Sequence, residues 1–466
     1  MTRRGFMKVA AMGAGVAAAG GCVTSGGSAR PGARRITVAD TGCEFEREPL
    51  LRPFGFKGGY LTNIWQSAAM IRSTSGKHGI GICTHSTLWS DAKVFAEHSE
   101  SAGNALMFAM TAHALRLLKG QTFTDPVALN DDLFEEVYRY GKQITRHPKL
   151  RQTFALNALV GVDNAAWLLY AKENGLTTFD ALIPEAYRPA LAQRHPKVAS
   201  IPLMAYAIPI PEIRQAVNDG YFFMKIKIGQ PGTQQEMLEK DMARLSAIHA
   251  ALDGCRTPYS VSGKLPYYFD ANGRYEKKET LLRLLDHAKK IGAFEQIALI
   301  EEPFDEENEI DVHDIPVRLA ADESAHTDKD AVKRIEMGYR AIALKAIAKT
   351  LSMTMKIARV AHDKGVPCFC ADLTVNPILV EWNKCVAARL GSFPGLEGLG
   401  LLETNGHQNY KNWATMRSYH PHPDAAWSKT ERGVFNLDAD YYAKSGGIFA
   451  PLPHYEAMFP GLTQRG

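Results

Sequence analysis

Two lysines lie two residues apart in the apolar segment YFFMKIKIG, which spans residues 221–229. The segment has the composition of a strand, and residues i and i+2 of a strand point to the same face. Lys225 and Lys227 therefore present two positive charges to one place. A lysine whose pKa is lowered by neighbouring cations can act as a general base, so this pair could take a proton from a substrate.

Charged residues also end the apolar segments that follow. They are Asp270, Glu301, Asp322, Lys345, Asp372 and Glu403. Carboxylates packed together must be compensated by positive charge, and a hard divalent cation with oxygen ligands does this directly. We therefore predict that Asp270, Glu301 and Asp322 bind Mg²⁺. Such an ion would acidify the α-proton of a substrate carboxylate, because it stabilises the ene-diolate that forms.

The elements that must position these residues alternate between strand and helix from Ile201 onward. The predicted strands are Pro202–Ala207, Phe222–Ile228, Tyr267–Asp270, Ile297–Glu301, Arg318–Asp322, Ala341–Lys345, Pro367–Asp372 and Gly398–Glu403. Eight βα units in sequence predict an α/β fold, a TIM-type (β/α) barrel. A doubly wound open sheet is the alternative. It would need a glycine-rich phosphate loop after its first strand, and the segment AIPIPEIRQ has none.

In an eight-stranded barrel the second and sixth strands lie on opposite sides, and active sites lie at the C-terminal ends of the strands. Lys227 and Lys345 would then face each other across the metal. Two bases on opposite faces can remove a proton from one side of a carbon and return one to the other, which is racemase or epimerase chemistry. Lys225 would neutralise the substrate carboxylate and help to keep Lys227 uncharged.

The region before the barrel has mixed α+β character. Met70–Cys83 contains two apolar runs around a turn, which predicts a hairpin, and Asn157–Gly175 is apolar at helical spacing. Phe54–Asn63 contains two adjacent glycines and is typical of a mobile loop over a site. The predicted domains are residues 1–30 (signal and linker), 35–195 (N-terminal α+β capping domain), 200–424 (barrel) and 425–466 (C-terminal tail).

The first residues predict export. Arg3-Arg4, followed by a short Ala/Gly-rich apolar run, is typical of a twin-arginine signal. Cys22 is a candidate lipidation site, so we expect a periplasmic protein or a lipoprotein attached to the membrane. The 466-residue chain has a net charge of +4 and no basic block, which argues against nucleic acid as a partner.

The chain resembles the enolase superfamily, and within it the muconate-lactonizing-enzyme subgroup, which includes dipeptide epimerases. The motifs that carry this resemblance are Lys225-Ile226-Lys227, Asp270-Ala271-Asn272, Glu301-Glu302-Pro303, Ala321-Asp322-Glu323-Ser324 and Lys345. The resemblance implies a capping domain completed by the C-terminal tail, Mg²⁺ and a lysine base. It also implies substrate contacts, for which Asn272, Asp372 and Glu403 are the candidates. Asp372 and Glu403 would bind a substrate ammonium group.

Two features depart from the family pattern. Thr350-Leu351-Ser352 stands where the family has a Gly-Gly pair, and Lys349 is a second candidate lysine close to Lys345. Strand 7 ends in Cys370-Ala371-Asp372 and lacks the histidine of the mandelate-racemase subgroup.

Three functions stay open at this point. The first is a Mg²⁺-dependent isomerase, a racemase or epimerase of an amino-acid or dipeptide derivative, acting on a small-molecule carboxylate. The second is a dehydratase of a sugar acid or a cycloisomerase on the same scaffold. The third, from another class, is an exported solute-binding lipoprotein. Many family members are oligomeric, so a homo-oligomer also stays open.

Overall fold

The computed structural model describes residues 32–57, 59–396 and 398–463. The predicted twin-arginine signal and Cys22 lie outside the described residues. The strands β1 to β15 are Ile36–Phe56, Gly59–Ser73, His78–His85, Thr122–Phe123, Lys197–Ile201, Leu203–Met204, Met224–Lys227, Tyr267–Asp270, Ile297–Glu301, Leu319–Ala321, Ala341–Leu344, Cys368–Cys370, Gly400–Glu403, Thr430–Glu431 and Val434–Asn436.

The α-helices α1 to α17 are Thr87–Ser90, Ala92–Glu97, Glu100–Leu118, Pro126–Thr145, Gln152–Asn174, Phe179–Leu182, Ile210–Asn218, Gln234–Leu252, Lys278–Lys290, Asp328–Glu336, Leu351–Asp363, Pro377–Ala387, Gly406–Asn409, Trp413–Ser418, Ala439–Lys444, Pro453–Glu456 and Pro460–Thr463. Thr233 and Glu236 form a capping box at the start of α8, since they exchange side-chain and backbone hydrogen bonds.

The N-terminal domain contains an antiparallel sheet in the order β3-β2-β1-β4, covered by α3 and α5. Helix α4 packs on these two helices. The predicted hairpin is confirmed as β2 and β3. The interpretation of Phe54–Asn63 as a loop is wrong for most of its length, because Phe54 pairs with Leu61 at the tip of a long hairpin of β1 and β2. The register shifts between Pro49 and Phe54, and the ladder then resumes beyond this irregularity.

Helix α5 is the core helix of the N-terminal domain. It is long and apolar enough to span a membrane, but its apolar stretch is entirely buried inside the protein. It lies almost directly against β3, because Gly79 and Gly81 have no side chains on the facing surface. A β-carbon placed on Gly81 would lie 2.0 Å from the Gly161 carbonyl oxygen. The two glycines therefore fix the distance between this helix and the sheet.

The second sheet has the strand order β14-β15-β5-β13-β12-β11-β10-β9-β8-β7-β6, and the strands from β5 to β13 run parallel where they pair. Strands β5 and β6 are separated by Pro202 alone, whose carbonyl accepts a hydrogen bond from the Lys225 backbone. The two ends of the parallel sheet therefore meet, and the barrel closes as predicted.

The first barrel strand differs from the prediction. It is divided at Pro202, and its longer part, β5, begins five residues earlier than the predicted Pro202–Ala207. Proline has no N–H to donate to a ladder, so the strand changes partner there, from β13 before Pro202 to β7 after it.

The C-terminal tail contacts both domains. Its strand β15 pairs antiparallel with β5 of the barrel, with Phe435 opposite Val198. Beyond this strand the tail extends to the N-terminal sheet, where His454 lies 2.6 Å from Glu46 of β1.

Candidate active site

The charged residues at the strand ends meet because the parallel strands are in register. Lys227 is opposite Asp270, and Asp270 is opposite Glu301, so the last residues of β7, β8 and β9 lie at one level. Asp322 and Lys345 each follow directly on the ends of β10 and β11. All five side chains are buried at the C-terminal end of the barrel.

Lys225 lies at the centre of the acidic residues. Its Nζ is 2.9 Å from Asp270, 3.0 Å from Glu301 and 3.1 Å from Glu403. Burial lowers the pKa of Lys225, but these carboxylates outweigh burial and hold the pKa well above its usual value. Lys227 donates to Asp270 at 2.5 Å. Asp270 consequently has a pKa of about 2, because Lys225 and Lys227 outweigh its burial.

Lys345 approaches from the other side. Its Nζ donates to Asp322 Oδ2 at 2.5 Å and lies 4.4 Å from the centre of the Trp89 ring. Burial lowers the pKa of Lys345, but Asp322 outweighs burial and raises it. The carboxylates nearest to Lys225 and Lys345 thus raise the pKa of both lysines. The expectation that a lysine beside other cations and the metal has a lowered pKa stays a prediction.

Lys349 reaches the same aspartate from below the strand ends. It is fully buried, donates to the Asp322 carbonyl at 2.6 Å and lies 3.3 Å from Asp322 Oδ1. The next residue, Thr350, has φ of 69°, a backbone conformation that favours glycine. This gives a physical reason for glycine here in the family. In this chain the Thr350 hydroxyl instead accepts a hydrogen bond from Met353 at the start of α11.

Three buried carboxylates have the chemistry of a divalent-cation site. Glu301, Asp322 and Glu323 each offer an oxygen atom within 4.8 Å of the others. Asp322 Oδ1 and Glu323 Oε2 accept no hydrogen bond among the described residues, although Lys349 lies close to the former. Burial raises the pKa of Glu301 to about 8 despite Lys225. The cluster therefore has oxygen atoms free to bind a ligand, and Mg²⁺ with its preference for oxygen ligands fits it.

Asp270, the third predicted ligand, is not in this group. Its Oδ2 contacts Lys225 and Lys227. Glu323 occupies the third position, although its Oε1 also contacts Lys57 at 2.8 Å and Asn272 at 2.9 Å. Glu301 and Asp322 belong both to the predicted ligands and to the observed cluster of carboxylates. The assignment of Asp270 as a ligand stays a prediction.

The predicted substrate contacts all lie at the site, but each already has protein partners. Asn272 accepts from Lys227 at 2.5 Å. Glu403 accepts from Lys225 and from the Asp372 backbone. Asp372 accepts from the Asn405 backbone at 2.8 Å, and burial together with Glu403 raises its pKa to about 7.

The N-terminal domain closes the site from above. Phe54, Phe56 and Leu61 of the hairpin and Trp89 line a small cavity together with Lys227 and Lys345. The cavity has a volume of about 30 Å³, room for a water molecule but not for an organic substrate. Substrate entry therefore requires that the hairpin or the lysine side chains move.

Several residues of the site were not predicted. Lys57 and Trp89 come from the N-terminal domain, and no spacing in the sequence connects them to the barrel. The Tyr268 hydroxyl donates to Glu301. Tyr268 could have been predicted, because it precedes Asp270 by two residues and therefore shares its face of β8.

The fold and the site define a class of protein that comparison with known proteins identifies. Residues 210–417 match the family described as enolase C-terminal domain-like. The search of curated proteins found no match. The barrel region therefore matches this family, and the solved structures below share the fold of the chain.

Solved structures with the same fold include three bacterial relatives. A dipeptide epimerase from Methylococcus capsulatus, complexed with Mg and the dipeptide L-Arg-D-Lys, is 19% identical over 86% of this chain and 97% of its own, with a TM-score of 0.58. An enolase-superfamily member from Listeria innocua is 17% identical over 88% and 94%, with a TM-score of 0.60. The L-Ala-D/L-Glu epimerase from Bacillus subtilis is 15% identical over 81% and 90%, with a TM-score of 0.57.

Proposed function

We propose that this protein is a Mg²⁺-dependent isomerase that moves the α-proton of a carboxylate substrate, as a racemase or epimerase of an amino-acid or dipeptide derivative. One observation carries the proposal. Lys227 and Lys345 line the same cavity, and they come from β7 and from the end of β11, with three strands between them. The fold shared with two epimerases supports it.

Each lysine has one task in this reaction. An uncharged Lys227 would accept the α-proton from one face of the substrate carbon, and a charged Lys345 would donate a proton to the opposite face. The reverse direction exchanges the two roles. Lys225 would hold the substrate carboxylate by ion pairing. Phe54, Phe56 and Trp89 would exclude water from the reacting carbon.

Glu301 and Asp322 would hold the metal, with Asp270 as the predicted third ligand. When bound, Mg²⁺ supplies positive charge that stabilises the negative charge developing on the substrate carboxylate as the proton leaves.

The test is proton NMR in D₂O with Mg²⁺ and a panel of amino acids, N-acyl amino acids, dipeptides and sugar acids. We expect one class to lose its α-proton signal and to racemise. Lys227→Ala and Lys345→Ala should each lower racemisation by about 10²-fold or more, while each variant still exchanges the α-proton of the one isomer that its remaining lysine faces. Lys289→Ala, at a position about half exposed on a barrel helix, is the matched control and should be fully active.

Other outcomes would replace the proposal. Conversion of a sugar acid to its dehydrated product would favour the dehydratase, and ring closure or opening would favour the cycloisomerase. If Lys227→Ala loses all α-proton exchange while Lys345→Ala exchanges as the wild type does, Lys227 acts alone. If no compound exchanges and Mg²⁺ does not bind, the solute-binding function takes precedence.

A further inference from the structure

A second cavity, apolar in character, lies beside the catalytic one between the hairpin and the barrel. It has a volume of about 320 Å³, which suits part of a small molecule. Its apolar lining comes from Pro53, Phe54, Phe56 and Tyr60 of the hairpin and from Leu203, Ala205, Tyr206, Ala207, Ile208 and Pro231 of the barrel.

This apolar cavity adjoins the catalytic cavity. Phe54, Phe56 and Leu203 line both. The Phe56 ring centre lies 5.8 Å from Lys227 Nζ. A substrate whose reacting carbon lies beside Lys227 therefore has the apolar cavity within reach of its other end.

Three polar side chains around the apolar cavity already have hydrogen-bond partners. Gln408 exchanges hydrogen bonds with the Leu203 backbone, and Asn409 donates to the Asn405 carbonyl. The Tyr206 hydroxyl donates to the carbonyls of Ile228 and Gly229, so a bound ligand would contact the Tyr206 ring.

The scarcity of charged residues in the lining also disfavours ligands with a charged distal group. Arg52, an exposed residue at the edge, is the single charged side chain among the described lining residues. Because Arg52 is exposed, an ion pair between it and a carboxylate tail would contribute little to binding. A substrate ammonium would find no carboxylate there. Asp372 and Glu403, the nearest predicted partners for an ammonium, are bonded to backbone N–H groups and to Lys225. Tyr60 lines the cavity yet is 65% exposed, so an apolar guest would cover a large aromatic surface.

We propose that the substrate is a carboxylate whose distal end is a large, uncharged, apolar group, and that this group binds in the apolar cavity. The proposal rests on the proposed function, since it places the reacting carbon beside Lys227. It names a narrower class than that function requires, and it disfavours substrates with a charged distal end.

The test compares three probes that share one reacting part. They are N-octanoyl-L-alanine with an apolar tail, N-acetyl-L-alanine with almost none and N-succinyl-L-alanine with a charged one. Binding is measured by calorimetry with Mg²⁺ present, and α-proton exchange is followed separately by NMR. We expect the octanoyl compound to bind about tenfold or more tightly than the acetyl compound, and the succinyl compound to bind no better than the acetyl compound.

Substitutions in the lining test whether the octanoyl tail binds in the apolar cavity. Ile208 is a partly exposed residue of the lining that packs at the margin of the hydrophobic core, so Ile208→Leu controls for effects of the substitution on folding. Ile208→Asp should weaken octanoyl binding about tenfold or more, because the tail would desolvate a carboxylate. Ile208→Leu should restore it. Val261→Asp, at a site 77% exposed and outside the cavity lining, is the control and should bind as the wild type does.

Equal affinities for the three probes, a preference for the succinyl compound, no binding of any probe, or an unchanged octanoyl affinity in Ile208→Asp would each overturn the proposal. The two proposals fail separately. Octanoyl preference without exchange of any compound would retain the apolar site and reject the isomerase. Exchange of the α-proton without a preference for the octanoyl compound would retain the isomerase and reject the apolar site.

Discussion

Lys225 identifies the point on which the acidic residues converge. Its Nζ lies within about 3 Å of carboxylate oxygens of both Asp270 and Glu301, so those two side chains already share one cation. Glu323, by contrast, is neutralised from outside by Lys57 of the hairpin. This difference in surroundings bears on which carboxylate completes the metal site.

We expect Asp270→Asn to lower Mg²⁺ affinity about tenfold or more, and Glu323→Gln to lower it less. The reason is that Asp270 and Glu301 face a common cation position, whereas Glu323 Oε1 is already bound to Lys57 and Asn272. Calorimetric titration of both variants with Mg²⁺ gives the answer. A larger loss in Glu323→Gln would make Glu323 the third ligand, as its closeness to Glu301 and Asp322 would then require.

At the residue scale, the two-residue period of a strand allows the sequence to predict which side chains share a face. Lys225 and Lys227 share a face, and the last residues of parallel strands meet at one end of a barrel. The contacts of Lys349 could not be predicted in the same way, because it follows the strand in a turn and its direction depends on that turn. Lys57 is separated from Glu323 by more than 260 residues, and only the packing of the two domains brings them together.

At the element scale, the contact between α5 and β3 depends on missing side chains. We expect Gly81→Ala to destabilise the protein by about 2–3 kcal/mol, because its β-carbon would meet backbone atoms of Gly161 and Ala165 that cannot move aside. Denaturant unfolding measures this as a lower midpoint. Gly254→Ala is the matched control, since its β-carbon would meet nothing within 4 Å, and it should change stability by less than about 0.5 kcal/mol. Equal effects of the two substitutions would contradict the close packing.

The junction between α5 and α11 contains a buried acid. Asp163 accepts from the Ser352 hydroxyl at 2.5 Å and from the Ser352 backbone at 3.0 Å. Burial outweighs these bonds and raises the pKa of Asp163 to about 7. The folded protein therefore holds a proton there between about pH 4 and pH 7 that the unfolded chain has lost.

Stability should consequently fall as pH rises through that window, by about 1.4 kcal/mol per pH unit from this group alone. Asp163→Asn cannot release a proton. We expect its free energy of unfolding, relative to the wild type, to increase by about 2–3 kcal/mol from pH 5 to pH 8. Urea unfolding at both pH values measures the change. Asp286→Asn, at a site 72% exposed, should follow the wild type at both. A pH-independent difference for Asp163→Asn would show that Asp163 is ionised throughout.

Helices and strands were predictable where a regular hydrophobic pattern extended over many residues. The barrel helices and the hairpin of β2 and β3 follow from spacing, capping and turn residues. The division of the first strand at Pro202 was not predicted, because it depends on which neighbour each half pairs with. The extension of β1 and β2 to Phe56 and Gly59 was missed because two adjacent glycines resemble a loop.

At the scale of the whole molecule, the site needs both domains, since the barrel contributes the charges and the N-terminal domain contributes Phe54, Phe56, Lys57 and Trp89. The boundaries at residues 35–195, 200–424 and 425–466 stay a prediction. A chain that must assemble two domains before it acts is suited to export after folding.

We propose that residues 1–30 direct that export. Replacing both Arg3 and Arg4 with lysine should retain the protein in the cytoplasm, because the paired arginines are the feature of the signal. Cell fractionation measures it. The pair Arg34 and Arg35, replaced in the same way, is the matched control and should leave export unchanged. Cys22→Ala tests attachment separately, and we expect it to move the exported protein from the membrane to the soluble fraction. Export that survives loss of Arg3 and Arg4 would contradict the proposal.

The pairing of β15 with β5 has a consequence for the order of folding. Residues 434–436 cover an edge of the first barrel strand that β7 leaves open, since β7 pairs only with the two residues after Pro202. A nascent chain that has not yet reached these residues exposes a row of unpaired backbone groups on β5. We therefore expect the barrel to be completed only after residues 434–436 have been synthesised and can pair with β5.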